Sequence, residues 1–167
     1  MEDIAIVGAG LVGSLLSVHL ARLGFRVSVY DRDPDPRQTT VRKSGRSLMI
    51  VLSKRGLSSL DAVGAGEIVR QSCIPIYGRM IHALDGQLTY QPYGNNREAL
   101  QAIERNRLNK VLLDFAVQHE NISIHFNEKC VDIDFPTATL TLINTASGEA
   151  RQAQHGRIFG ADGAYSV

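Results

Sequence analysis

Within its first thirty residues the chain places Gly8-Ala9-Gly10-Leu11-Val12-Gly13 between two apolar runs. Ile4-Ala5-Ile6-Val7-Gly8 is continuous in apolar residues, as expected of a strand buried on both faces. Leu11, Val12, Leu15, Leu16, His19, Leu20 and Leu23 then recur at helical spacing, and Gly24 stands where a helix ends. Arg26-Val27-Ser28-Val29-Tyr30 predicts a second strand. A strand, a Gly-rich turn, a helix and a strand in this span make a βαβ unit with a right-handed parallel crossover. In that setting each glycine of G-x-G-x-x-G has a task. Gly8 permits the tight turn, Gly10 lets a pyrophosphate approach the backbone, and Gly13 lets helix and strand pack closely. The helix N-terminus offers free N–H groups and a positive dipole end to phosphates.

Asp31 ends the second strand, 18 residues after Gly13. An acid there accepts hydrogen bonds from a ribose 2′-OH and repels a 2′-phosphate, which favours FAD or NAD over NADP. Beyond it the pattern changes. Asp33-Pro34-Asp35-Pro36 breaks regular structure. A short strand over Leu48–Leu52 and a helix over Ser53–Val63 follow. From Ile76 to Pro92 the period is two, with Asp85-Gly86 at a hairpin turn. Leu108, Val111, Leu112, Phe115 and Ala116 mark a helix from about Asn106 to His119. Strands are expected over Ile122–Phe126, Lys129–Phe135, Ala138–Ile143, Ala150–His155 and Arg157–Ala161. The fold class is therefore α/β: a Rossmann-like βαβ with a parallel sheet, interrupted by an antiparallel excursion.

Composition excludes several classes. Apolar residues make up 44% and charged residues 21%, ordinary for a globular chain, which sets aside disorder and a disulfide scaffold. The net charge of +1 argues for neither nucleic acid nor a membrane surface. One stretch departs from that balance: Arg32, Arg37, Arg42, Lys43, Arg46, Lys54 and Arg55 face only Asp33 and Asp35, a solvated loop or an attraction for an anionic cofactor. Cys73 and Cys130 form no metal spacing and read as buried thiols. The five histidines are scattered and read as structural or surface residues. No apolar run approaches the ~20 residues of a membrane-spanning helix, and the N-terminus has no signal-peptide pattern. A cytoplasmic chain is expected. Met1 lies just before a strand, whereas the chain stops just after one, so a fragment is expected.

Gly160-Ala161-Asp162-Gly163-Ala164-Tyr165-Ser166 resembles the G-A-D-G-A-x-S segment of aromatic-hydroxylase-type flavoproteins. Gly78-Arg79-Met80-Ile81-His82, Pro92-Tyr93-Gly94 and Arg105-Asn106-Arg107-Leu108-Asn109-Lys110 resemble the kynurenine 3-monooxygenase family within that class. The likeness runs from residue 4 to 166. It implies FAD as cofactor, NADPH and O₂ as co-substrates, and L-kynurenine hydroxylated to 3-hydroxykynurenine by chemistry carried on the flavin, with no catalytic side chain. It implies FAD contacts at Gly8, Gly10, Val12, Gly13, Tyr30, Asp31, Arg32, Asp33, Val51, Arg105, Cys130 and Asp162, those of Val51 and Cys130 through backbone atoms. Arg79 and Tyr93 would meet the substrate's amino-acid carboxylate, Arg through its planar fork. Asp31 stands where the family often has Glu, and Asp33 where Arg is common.

Family members are several hundred residues long. The resemblance therefore makes residues 1–167 the N-terminal part of an FAD/NAD(P)-binding domain, with a partial substrate-facing hairpin at about 76–93 and the family's C-terminal half absent. Such a chain is expected to be inactive alone and to self-associate through the surface left uncovered. Two alternatives stay open: another FAD-dependent aromatic hydroxylase, or a non-catalytic nucleotide-binding or interaction module.

Overall fold

The computed structural model describes residues 2–38, 48–95 and 98–166. The chain divides into two compact units, one of residues 1–45 and 109–167, the other of residues 46–108. The remainder of the basic stretch, Arg42, Lys43 and Arg46, lies outside the described residues.

The first unit is built on strand β1 (Asp3–Val7), helix α1 (Leu11–Arg22) and strand β2 (Arg26–Tyr30). Strands β8 (Ile122–His125) and β12 (Arg157–Gly160) complete a four-stranded sheet of order β12-β1-β2-β8, parallel throughout. All of Ile4 to Val7 is buried, as the continuous apolar run predicts. Successive residues point to opposite faces. Ile6 faces α1, where its Cγ2 lies near Gly13. Ala5 and Val7 face the other way, into a cluster with Tyr30, Cys130, Leu140 and Leu142.

That cluster is closed by a second, antiparallel sheet of β9 (Glu128–Asp134), β10 (Thr139–Asn144) and β11 (Ala150–Gln154), ordered β11-β10-β9. Its register shifts between Thr141 and Leu142, so that Thr141 faces Asp132 and Leu142 faces Cys130. The extra residue, Val131, is a bulge. Leu140, Leu142 and Cys130 all enter the shared core. Each aliphatic side chain fully buried there contributes about 1.5–3 kcal/mol relative to exposure.

Helix α1 forms where the spacing predicts it, but the face it buries differs from the one the leucines suggest. Gly13, Ser14, Ser17, Val18, Leu20 and Ala21 are buried. Val12 and Leu23 are each 68% exposed. The cause is close packing against the sheet, which selects small side chains over large ones. The two buried serines are satisfied locally: Ser14 Oγ donates to the Ala9 carbonyl (3.1 Å) and Ser17 Oγ to the Ser14 carbonyl (2.8 Å). Asn121 Nδ2 donates to the carbonyls of Ala21 (2.8 Å) and Phe25 (2.7 Å), tying the end of α1 to the start of β8.

The second unit holds β3 (Met49–Leu52), α2 (Lys54–Ala62), α3 (Gly66–Arg70), β4 (Ile74–Ile76), β5 (Gly78–His82), β6 (Leu88–Pro92) and β7 (Leu100–Glu104). Ser53 caps α2 by accepting from the Gly56 N–H. Strand β7 lies between β3 and β4 and is antiparallel to both. Strands β5 and β6 form the hairpin expected around Asp85-Gly86. Helix α4 (Arg105–Ala116) starts in this unit and runs on into the first, with Leu108, Val111, Leu112, Leu113 and Ala116 buried. No helix among the described residues is long and apolar enough to cross a membrane.

Candidate functional site

At the C-terminal ends of β1 and β2 the first unit forms a pocket lined by Val7, Gly8, Tyr30, Asp31, Arg32, Glu128, Cys130 and Asp162. In a parallel sheet this is the end at which ligands bind. The turn after β1 is fixed by its neighbours. The Gly8 N–H donates to the Tyr30 carbonyl and the Ala161 N–H to the Val7 carbonyl, both at 2.7 Å. Gly8 has φ +106°, and a Cβ built on it would lie 2.5 Å from the Ala161 carbonyl oxygen. The two glycine motifs of the sequence are thus pressed together. A Cβ on Gly13 would overlap the Gly8 carbonyl.

Gly10 is different. It has φ −73° and ψ −171°, and a Cβ there would have nothing within 4 Å. Gly10 is also the N-cap of α1, whose first turn carries no acid. The N–H groups of Leu11, Val12 and Gly13 precede the first intrahelical bond, Ser14 N–H to Gly10 O (2.9 Å).

Asp31 links this loop to the end of β2. Its Oδ2 accepts from the Ala9 N–H (2.7 Å) and its Oδ1 from the Asp33 N–H (2.9 Å). A carboxylate accepts up to about four hydrogen bonds, so each oxygen retains capacity for a ligand hydroxyl. Asp162 Oδ1 accepts from Ser166 Oγ (3.0 Å).

Tyr30 forms the floor. It is 4% exposed, stacks on His125 (ring centroids 5.0 Å apart, 16° between planes) and carries the Arg151 guanidinium over its ring at 5.5 Å. Its hydroxyl lies 3.1 Å from His155 Nε2, and His155 Nδ1 lies 3.0 Å from Asp3 Oδ2. A carboxylate accepts only, so Nδ1 carries the proton, and in neutral His155 the tyrosine O–H donates to Nε2. Burial pushes the Tyr30 phenol up, against the smaller lowering effects of Ser28 and Arg151. Burial likewise raises the Cys130 thiol, opposed by its hydrogen bond to the Asp132 carbonyl and helped by the Asp162 charge. A raised thiol is a packed group, not a nucleophile.

The structure therefore brings Gly8, Tyr30, Asp31, Arg32, Cys130 and Asp162 around one pocket, with Gly10, Val12 and Gly13 in the adjoining turn and Asp33 bonded to Asp31. Val51 on β3, Arg79 on β5, Tyr93 after β6 and Arg105 at the first position of α4 belong to the second unit. Arg79 pairs with Gln91 across the hairpin, and its Nε donates to Gln91 Oε1 (2.8 Å). The Tyr93 N–H donates to the Tyr77 carbonyl (2.9 Å), which continues the register by one pair. Arg79 and Tyr93 are then diagonal neighbours on one face of the ribbon. Glu128 and Val7 also line the pocket, and no motif or spacing singles them out in the sequence. Among the described residues no group of three or more His, Cys, Asp or Glu could hold a metal ion.

Residues 1–167 match the FAD binding domain family. The chain belongs to that family. Among curated relatives, the kynurenine 3-monooxygenase of Myxococcus xanthus is 42% identical over 167 residues, 99% of this chain and 36% of that protein. That of Flavobacterium johnsoniae is 41% identical over 163 residues, 98% of this chain and 36% of that protein. That of Anopheles gambiae is 38% identical, with 99% and 34% covered. The chain thus spans about a third of the length of these relatives. Among solved structures, p-nitrophenol 4-monooxygenase of Pseudomonas putida DLL-E4 superposes with a TM-score of 0.80 at 20% identity, over 100% of this chain and 43% of that one. The flavin-dependent monooxygenase PieE superposes at 0.80 and 18% identity, over 99% and 31%. At that identity the likeness is one of fold.

The pocket fits what an FAD binding domain must hold. The space over Gly10 in the adjoining turn is open, so a ligand can approach the backbone there, and any side chain would begin to fill it. The N–H groups at the start of α1 have no side-chain cap and no carboxylate in the first turn to compete with an anion.

Proposed function

We propose that this chain supplies the ADP-moiety half of the FAD site, and part of the substrate site, of a monooxygenase that hydroxylates L-kynurenine to 3-hydroxykynurenine. The observation that carries this reading is the 42% identity to a kynurenine 3-monooxygenase across 99% of the chain. Bound FAD supplies the redox chemistry with NADPH and O₂; the chain binds and orients. Gly8, Gly10, Val12 and Gly13 receive the pyrophosphate on backbone N–H groups. Asp31 accepts from the ribose hydroxyls through its remaining lone pairs. Tyr30, Arg32 and Asp33 shape that end, and the backbone of Cys130 borders the adenine. Asp162 stands beside the flavin nucleotide, and Val51 and Arg105 complete the contacts. Arg79, with Nε held by Gln91, keeps both Nη groups for a substrate carboxylate, and Tyr93 on the same face donates its hydroxyl to the same end. The rest of the flavin site lies in the part of the relatives that this chain does not span, so the chain alone forms no 3-hydroxykynurenine from kynurenine, NADPH and O₂.

Titration with FAD, followed by flavin fluorescence, tests the reading. Saturable quenching by the chain is expected. Fluorescence unchanged up to high micromolar chain overturns it.

A further inference from the structure

Asp31, the acid that this reading sets against the ribose, does not hold its own position. It belongs to a three-residue segment, Asp31-Arg32-Asp33, which leaves β2 with no regular structure of its own. Each of the three carbonyls in that segment is caught by a residue almost a hundred or more positions away. The Asp31 carbonyl accepts from the Glu128 N–H (2.8 Å) and the Asp33 carbonyl from the Asn127 N–H (3.0 Å). The Arg32 carbonyl accepts from Thr145 Oγ1 (3.2 Å), whose single proton is shared with the more distant Asn127 carbonyl (3.4 Å). Thr145 is itself fixed to Asn127, because its N–H donates to the Asn127 carbonyl at 2.7 Å.

Two features make this arrangement stiff. Asn127 has φ +60°, a conformation that Asn tolerates and a β-branched residue does not. That conformation turns the chain between β8 and β9 so that two successive N–H groups, of Asn127 and Glu128, face the segment. On the other side Asn144 Oδ1 accepts from the N–H groups of Ala146 (3.0 Å) and Ser147 (2.9 Å), which shapes the turn carrying Thr145.

We infer that Asn127 and Thr145 are positioning residues for nucleotide recognition: they latch the Asp31–Asp33 segment so that the Asp31 carboxylate reads the ribose hydroxyls of an adenine dinucleotide. The inference rests on the proposal that this pocket takes the ADP moiety. Asn127 acts through backbone conformation and Thr145 through its hydroxyl. Neither touches the ligand.

The test crosses ligand edits with protein variants. ADP, 2′-deoxy-ADP and 3′-deoxy-ADP are titrated calorimetrically into the wild-type chain, Asn127→Val, Asn127→Gly and Thr145→Val, each checked for folding by circular dichroism. The wild type is expected to prefer ADP over at least one deoxy ligand by about tenfold or more, the scale of a hydrogen bond to a charged acceptor. Asn127→Val and Thr145→Val should shrink that ratio severalfold or more, and Asn127→Gly should keep it. A general loss of stability would weaken all three ligands alike and leave the ratio intact. If Asn127→Val does not fold, Thr145→Val, which removes only a hydroxyl at an exposed position, still decides. A wild-type ratio retained in every folded variant, or a wild type that binds ADP without discriminating the hydroxyls, overturns the inference and leaves the dinucleotide site standing. A wild type that binds no ADP overturns both.

Discussion

Gly8 and Gly10 lie two residues apart in one turn, and the structure assigns them opposite kinds of importance. Gly8→Ala places a methyl group 2.5 Å from the Ala161 carbonyl oxygen and 2.7 Å from its carbon, on a residue with φ +106°. The backbone conformation costs an L-residue about 1–2 kcal/mol. Displacing the neighbouring backbone adds about 1–3 kcal/mol. A total near 3 kcal/mol corresponds, at about 2–4 °C per kcal/mol for a chain of this length, to a Tm lowered by about 6–12 °C. Gly10→Ala meets nothing within 4 Å and has an ordinary φ of −73°. Its stability should be unchanged, or raised by up to about 1 kcal/mol through the reduced entropy of the unfolded chain. Yet on the proposed reading its methyl group would meet the pyrophosphate, so FAD affinity should fall about tenfold or more, taking about 1–3 kcal/mol for an added methyl in a filled site. Thermal melting by far-UV circular dichroism and FAD titration separate the two effects. Equal Tm losses in the two variants would refute the assignment to Gly8. A stable Gly10→Ala chain that binds FAD as tightly as wild type would refute the assignment to Gly10.

Two further outcomes follow from local features. His125 is stacked on Tyr30, and burial lowers its pKa, with Arg151 and His155 adding to the effect and Glu128 opposing it. The unfolded chain then binds the proton more readily than the folded one. The contribution is complete above the unfolded value near 6.5 and declines as pH falls from there to the folded value. His125→Phe keeps the stack and should flatten the pH dependence of urea unfolding between pH 7.5 and 5; an unchanged slope would dismiss His125 as its source. Ala138 has φ +49° in the turn between β9 and β10. Ala138→Gly should relieve about 1–2 kcal/mol of strain, partly offset by chain entropy, for a Tm raised by about 1–4 °C, and a lowered Tm contradicts this.

The βαβ opening was legible because its signals agree. An apolar run, three glycines and a helical repeat all point to one arrangement, and the strand over Arg26–Tyr30 matches β2 residue for residue. The buried face of α1 was not legible, because periodicity weights large apolar residues whereas the contact with the sheet selects Gly13, Ser14, Ser17 and Ala21. Strand β7, Leu-Gln-Ala-Ile-Glu, is short and carries polar residues at its second and last positions, which breaks any regular alternation, so its central place among β3, β7 and β4 came only from the structure. Helix α3, five residues beginning with Gly, is too short for a period to register. The glycines and Asp31 of the candidate site stood out by spacing. Glu128, Asn127 and Thr145 did not, because they act through bonds to backbone groups about a hundred residues away, those of Glu128 and Asn127 from N–H groups and that of Thr145 from its hydroxyl, and no local pattern encodes such a pairing.

The order β12-β1-β2-β8 also sets a timetable for synthesis. Strand β1 leaves the ribosome about 150 residues ahead of its partner on one side, Arg157–Gly160. At about 5–20 residues per second, the glycine turn after β1 waits on the order of ten to thirty seconds for the strand that clamps it. Throughout that interval one edge of β1 stays open to any other extended chain. The nascent chain therefore carries its glycine motif well before the strand that clamps the turn, and release before residue 157 would leave the first without the second.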